Sequence, residues 1–379
     1  MLINSYKWGV MKGIISKKNA RSYLSKLKRK LRHTLESGDL YAIHKNTLTL
    51  KKRRKINSKS KSFIKKIQFK RKSIPAPPHI DFYNEFNYYK TVSFFQKLKK
   101  EAERNKVSIN FDETLIITAS AMICFLSEID ILLKMSPFKS KAITFKHPKH
   151  EKIESILKQV GFYDLVDKKS RVTKDFDDVS YWNYASGAKS EPQRTQSAMI
   201  EIENKIGRSA KRKLYKGFSE AMANSVEHAY YDVDKSNEAF QTKWWAFAGV
   251  HKNSLVVVIC DKGIGIPKSL PIKWGRDFIN RTLSALNIKN NNDSSLIKAA
   301  TTMGKSRTNQ NNRGKGLSDV LSIIKQYKVG NLSIFSNKGY YRYYGENGIA
   351  KDKLTEHDLS MCGTIVEWSI PLDIDNKEV

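Results

Sequence analysis

The residues best suited to chemistry fall in four short stretches of the last 160 positions. The first, Glu220-Ala-Met-Ala-Asn224-Ser-Val-Glu-His228, lies in a run from Ser209 to Tyr230 whose composition predicts a helix. Spacings of four put Glu220, Asn224 and His228 on one face, and Met222 and Val226 on another. A carboxylate one turn from a carboxamide suits metal–nucleotide chemistry. The carboxylate can orient or deprotonate a water, and the amide oxygen can ligate Mg²⁺. A Glu and an Asn four apart also occur on many ordinary helices, so this stretch alone supports either reading.

The second is Leu255-Val-Val-Val-Ile-Cys-Asp261-Lys-Gly263-Ile-Gly265-Ile-Pro267. Its β-branched run predicts a buried strand. The strand ends in an acid that could accept a hydrogen bond from an adenine amino group, then two glycines that let backbone approach a base and sugar closely. A plain strand-to-turn exit is the simpler alternative. The third, Asn312-Arg-Gly314-Lys-Gly316-Leu317, opens an apolar-periodic helix predicted over Leu317–Tyr327. Unpaired amide N–H groups and the helix dipole make such an opening an anion site. It lacks the gap and the Gly-Lys-Ser/Thr ending of a Walker A loop, and it is not a Rossmann fingerprint. The fourth, Cys362-Gly363-Thr364, leads into an alternating strand over Ile365–Ile370 and offers a hydroxyl near the base. Taken singly, these last two read as ordinary turns.

In this order the four stretches resemble the motifs of the GHKL (Bergerat-fold) ATPase superfamily: gyrase, MutL, Hsp-type chaperones, histidine kinases and anti-sigma-factor serine kinases. Glu220–Asn224 is similar to the N box, Asp261-x-Gly263-x-Gly265 to the G1 box, Gly314-x-Gly316 to the G2 box, and Gly363-Thr364 to the closing threonine motif. The resemblance spans about residues 195–372 and implies an α/β sandwich, a mixed sheet with helices on one face. It implies ATP and Mg²⁺ as cofactors. By it, Glu220 is the general base, Asn224 the Mg²⁺ ligand, and Asp261 the adenine reader assisted by Thr364. Gly263 and Gly265 shape the base pocket, and Gly314 and Gly316 hold the phosphates. Ala300–Arg313 becomes a lid, with Lys305, Arg307 and Arg313 as γ-phosphate contacts. His228 fits the pattern as a packing or capping residue. No phospho-accepting helix precedes the first motif and no transducer domain follows the last, so neither a sensor kinase nor a strand-passing machine is expected.

The elements that must position these groups divide the chain. Residues 1–73 hold 23 Lys+Arg against two acids, a net of +21 out of the chain's +32. This basic arm suits a polyanion: nucleic acid, an acidic membrane surface or an acidic protein. It reads equally as a solvated tail with a helical stretch over Lys17–Leu35. The proline-rich Ile74–Ile80 predicts extended chain and a boundary. Residues 74–168 then read as a small α/β domain, with a strand at Leu115–Ile117, a helix over Ala119–Leu133, a strand at Ala142–Phe145 and a helix over Glu151–Val160 stopped by Gly161. Its element order and the run FKHPKHEKIESILKQVGFYDL resemble the STAS-like domains of anti-sigma-antagonist type. That resemblance implies a partner-binding, regulatory module; a structural cap is the plainer reading. Residues 169–194 read as a linker and 195–379 as the ATP-binding domain, with loops at Asn287–Asp293 and Lys305–Arg313.

The three cysteines, Cys124, Cys260 and Cys362, lie in or beside apolar runs and form no CxxC pair, which predicts buried free thiols in a reducing compartment. No apolar run reaches about 18 residues, so no membrane span is expected. The start lacks a signal-peptide h-region, and a cytoplasmic address is the simplest expectation. Three functions follow: an ATP-hydrolysing switch, an anti-sigma-type serine protein kinase, and a nucleic-acid-associated ATPase that grips its target through the basic arm. The partners this allows are ATP, a protein for residues 74–168, nucleic acid for residues 1–73, and a second copy of the chain.

Overall fold

Helix and strand placement in this chain follows from caps, turns and alternation that can be read residue by residue. The computed structural model describes residues 71–174, 176, 179–181, 184–191, 206, 208–230, 243–303, 317 and 320–374. The basic arm therefore lies outside the described residues, apart from Arg71–Ser73. The chain divides into two units, Met1–Phe69 and Lys70–Val379.

The N-terminal part of the second unit runs β1 (Lys72–Pro75), β2 (His79–Ile80), α1 (Glu85–Ala102), β3 (Val107–Asn110), β4 (Ile116–Ile117), α2 (Ala119–Met135), β5 (Ile143–Lys146), α3 (Glu151–Gln159) and α4 (Phe162–Leu165). Strands β1, β3 and β5 form a parallel sheet in that order, and β2 pairs β4 in parallel. Helix α1 starts where the Asn84 side chain accepts the Asn87 N–H at 3.2 Å, satisfying an orphan donor of the first turn. Helix α3 gives way at Gly161, whose φ of 81° suits glycine. Helix α2 is buried on every side from Ala119 to Ser127. An all-round apolar helix needs a layer on both sides.

The second layer comes from the rest of the chain. It runs β6 (Val179–Tyr181), β7 (Ala185–Gly187), α5 (Arg208–Glu227), β8 (Trp244–His251), β9 (Ser254–Asp261), α6 (Ile266–Trp274), α7 (Arg276–Ala285), α8 (Asp293–Thr302), α9 (Ser322–Tyr327), β10 (Asn331–Ser336), β11 (Gly339–Glu346), β12 (Ile349–Glu356) and β13 (Thr364–Pro371). An eight-stranded sheet has the order β12-β11-β10-β13-β9-β8-β6, with β7 also on β8. Two-residue turns at Lys252-Asn253 and Asn347-Gly348 hold both residues at positive φ, the geometry that matches the twist of tight hairpins.

Alternation along β8 and β9 sends side chains to two cores. Trp245, Phe247, Val256, Val258 and Cys260 pack with the N-terminal segment, including α2. Trp244, Ala246, Ala248, Leu255, Val257 and Ile259 pack with Leu214, Phe218 and Met222 of α5 and with α9. Polar ties cross the first core: Ser120 at the start of α2 donates to the Glu367 carboxylate of β13, and Trp245 Nε1 donates to Asp130 Oδ2 at 2.9 Å. A third cluster, around Leu270, Ile279, Leu283 and Leu296, joins α6, α7 and α8.

The fold is thus α/β, and it departs from expectation in several places. Every described ladder of the large sheet is antiparallel rather than mixed; hairpins join β8 to β9, β10 to β11 and β11 to β12, while β13 returns from the far end of the chain to lie between β10 and β9. At the sheet's centre both faces are covered, since β8 and β9 are buried on both sides, whereas β12 is mostly exposed. Part of the stretch expected as a linker, 169–194, supplies β6 and β7, which pair with β8. Of the helix expected over Leu317–Tyr327, the described part is Ser322–Tyr327. Cys124 and Cys260 are buried free thiols, but Cys362, in the left-handed region at φ 56° just before β13, is exposed. No helix among the described residues is long and apolar enough to cross a membrane.

Candidate functional site

Helix α5 buries Leu214, Phe218, Ala221, Met222 and Ser225 against the sheet, which turns Glu220 and Asn224 to its flank. The Asn224 Nδ2 donates to the Glu220 carbonyl at 2.9 Å and lies 3.3 Å from Glu220 Oε1. With its nitrogen engaged along the helix, the amide presents its oxygen as the group left to serve a ligand.

Asp261 is the last residue of β9 and is paired in register with Thr364, the first of β13. Only 5% of it is exposed. Gly263 N–H donates to its Oδ1 at 2.9 Å, and Ser225 Oγ lies 3.4 Å from its Oδ2, a long contact. Burial pushes its carboxyl up to about 7, against the lowering effects of the Gly263 N–H, Lys262, Ser225 and the Thr364 N–H. Thr364 Oγ1 shares a 3.0 Å hydrogen bond with Ser336 Oγ, which fixes its rotamer from behind.

The turn after Asp261 is held by close approaches. A Cβ on Gly263 would stand 2.1 Å from the Ala229 carbonyl oxygen, so only glycine lets the turn lie against the end of α5. The Ile264 N–H bonds that same carbonyl at 2.7 Å. Gly265 has φ 83°, and a Cβ there would meet Asn337 Nδ2 at 2.5 Å. The expected reason for these glycines was room for a base. Their observed neighbours are protein, and only Gly265 lines the cavity.

That cavity lies between α5, the ends of β9 and β13, and helices α6 and α8. Asn224, Asp261, Gly265 and Thr364, drawn from three separate stretches of sequence, all line it. Glu220 is outside the lining but one turn from Asn224 and in contact with it. Gly263 stands behind the wall. Lys305, Arg307, Arg313, Gly314 and Gly316 lie outside the described residues, as does most of the expected lid. His228, expected to pack or cap, lines the cavity, and its Nε2 is 3.0 Å from Lys273 Nζ. Burial and then the Lys273 charge push the His228 pKa below its ordinary value.

Sequence reasoning missed Lys273, Trp274, Met303 and Ser225. Ser225 was legible in principle, since it follows Asn224 on the buried face. Lys273 and Trp274 come from a short proline-containing helix whose place at the cavity no spacing announces. Among the described residues no group of three or more His, Cys, Asp or Glu side chains is placed to hold a metal ion. No protein-family model matches the chain, and no curated protein matches it either.

Proposed function

We propose that the cavity binds ATP with Mg²⁺ and that the chain turns the nucleotide over as a switch, in the manner of the GHKL ATPases its motifs resemble. One observation carries the reading: a buried carboxylate, a glycine turn, a carboxamide and a threonine hydroxyl, far apart in sequence, converge on one pocket. Asp261 lines the cavity, and its Oδ2, with one long contact to Ser225, retains acceptor capacity that suits an exocyclic amino group of a purine. Leu270, Met303 and Val366 supply an apolar wall for the ring.

The donor set also fits a magnesium ion. Mg²⁺ takes few protein ligands and keeps water and phosphate oxygens, so the single oxygen of Asn224 is enough, and a multi-carboxylate cage is not required. When bound, the ion neutralises phosphate charge. Asn224 would hold it, Lys273 would draw the phosphates, and Glu220, one turn from Asn224, would accept the proton of an attacking water. The Glu220→Ala variant is expected to bind Mg-ATP with unchanged affinity and to lose turnover, a hundredfold or more by the usual worth of a general base, ~10²–10⁴. Retained turnover would remove Glu220 from the role.

A second reading adds a polyanion. The net charge of +21 on residues 1–73 favours nucleic acid as the switch's target. Protein-kinase action is the competing output. With labelled ATP and lysate, a labelled protein favours the kinase and free phosphate the hydrolase.

A further inference from the structure

Lys262 sits between the base-facing Asp261 and Gly263, yet its side chain leaves the cavity's side of the sheet. Strand alternation carries it to the opposite face, into the N-terminal core. There its side chain is 5% exposed and its ammonium lies 2.6 Å from Glu128 Oε1. It donates to the Met361 carbonyl at 3.0 Å and lies 3.5 Å from Cys124 Sγ. Glu128 and Cys124 belong to α2. Met361 lies three residues before Thr364. One charge therefore ties together the turn after β9, the approach to Thr364, and the central helix of the N-terminal segment.

A buried ammonium is costly unless it is paired and hydrogen-bonded, and an apolar side chain of similar length commonly packs at lower cost. Stability alone thus gives a poor account of a lysine here. Burial works against the charge, but Cys124 and Glu128 outweigh it and hold the Lys262 pKa above its ordinary value. Asn337 makes a second tie of the same kind. Its Nδ2 donates to the Ile264 carbonyl at 2.9 Å, its N–H to the Gly363 carbonyl at 3.2 Å, and its own carbonyl accepts from Tyr88 of α1 at 3.3 Å. Both walls of the cavity that carry Asp261 and Thr364 are thus anchored to the N-terminal segment.

We propose that the Lys262–Glu128 pair is a positioning device: it holds the Asp261–Gly265 turn and Thr364 in binding register and couples occupancy of the cavity to the N-terminal segment. This rests on the nucleotide reading above. Coupling is reciprocal, so nucleotide binding tightens α2 by as much as α2 tightens the site.

The test titrates Mg-ATP into the full chain and into two variants, Lys262→Met/Glu128→Met and Glu128→Gln, with thermal melts of each. The double variant replaces an ion pair with apolar packing and is expected to melt at or above the wild-type temperature. Its Mg-ATP affinity is expected to fall about tenfold or more, within the usual range of coupling between sites. Glu128→Gln, outside the cavity, is expected to weaken affinity in the same direction. Retained Tm with lost affinity is a split that a merely structural pair would not give. Wild-type affinity in either folded variant overturns the positioning role and leaves the nucleotide reading standing. A wild-type chain that binds no Mg-ATP overturns both. Should the double variant not fold, Glu128→Gln decides alone by the same criterion.

Discussion

Asp261→Asn is expected to stabilise the ligand-free chain at pH 8 while weakening its grip on a purine amino group. Burial lifts the Asp261 carboxyl from an ordinary 3.8 to about 7. A rise of that size corresponds to about 4 kcal/mol between the protonated and ionised forms. Because the folded-state value is the raised one, the protonated carboxyl favours the fold. That contribution is fully present below about pH 4 and is lost as pH rises through 7. At pH 8 the wild type therefore bears the whole cost of a buried carboxylate. Asparagine bears none of it and keeps an acceptor for the Gly263 N–H, though it gives up a charge-assisted bond for a neutral one, about 1 kcal/mol. The net gain is about 3 kcal/mol at pH 8. Between pH 5 and pH 8 the stability gap between variant and wild type widens by about 2–3 kcal/mol. At about 2.1 cal/mol/K of unfolding entropy per residue, each kcal/mol moves the Tm of a chain this size by roughly 1–1.5 °C, so the gap in Tm widens by about 3–4 °C. Thermal unfolding of both proteins across that range, without nucleotide, is the assay. A gap that stays constant with pH would refute the buried, proton-linked Asp261 on which the base-recognition argument depends.

Two further outcomes follow from the same geometry. Gly263→Ala places a methyl 2.1 Å from the Ala229 carbonyl oxygen, so the turn must shift. A loss of about 1–3 kcal/mol in urea unfolding, together with weaker Mg-ATP binding, is expected, and unchanged values for both would show the turn to be slack. Truncation of residues 1–69 spares β1, whose Lys72–Pro75 ladder on β3 a cut at 73 would break. The truncated chain is expected to lose steeply salt-dependent binding to DNA or RNA while keeping its Mg-ATP affinity. Polyanion binding that survives truncation would take the arm out of that role.

Much of the cavity was legible because its groups sit where local rules are strong. A β-branched run ending in an acid is a strand end, and spacings of four on an amphipathic run set Glu220 beside Asn224. Pairing of Asp261 with Thr364 across β9 and β13 was not legible, because sheet order depends on contacts about a hundred residues apart. Strands β10 to β12 went unread for a related reason: Tyr340 to Tyr344 mixes aromatic and charged residues on a half-exposed ribbon, so its period is weak. Residues 169–194 looked like a linker because two three-residue strands carry too little pattern to register, although β8 gives them a ladder to join. Lys262 was read past altogether. A lysine beside a glycine turn suggests solvent, and only the α2 layer on the far face of the sheet makes it a buried partner of Glu128.

The most direct test of the central claim is calorimetric titration of Mg-ATP into the wild-type chain and into Asp261→Asn. Saturable binding at one site per chain, weakened about tenfold or more in the variant by loss of a charge-assisted acceptor, is the expected result. An absence of binding to the wild type, or equal affinity for both proteins, would contradict a nucleotide site built on Asp261.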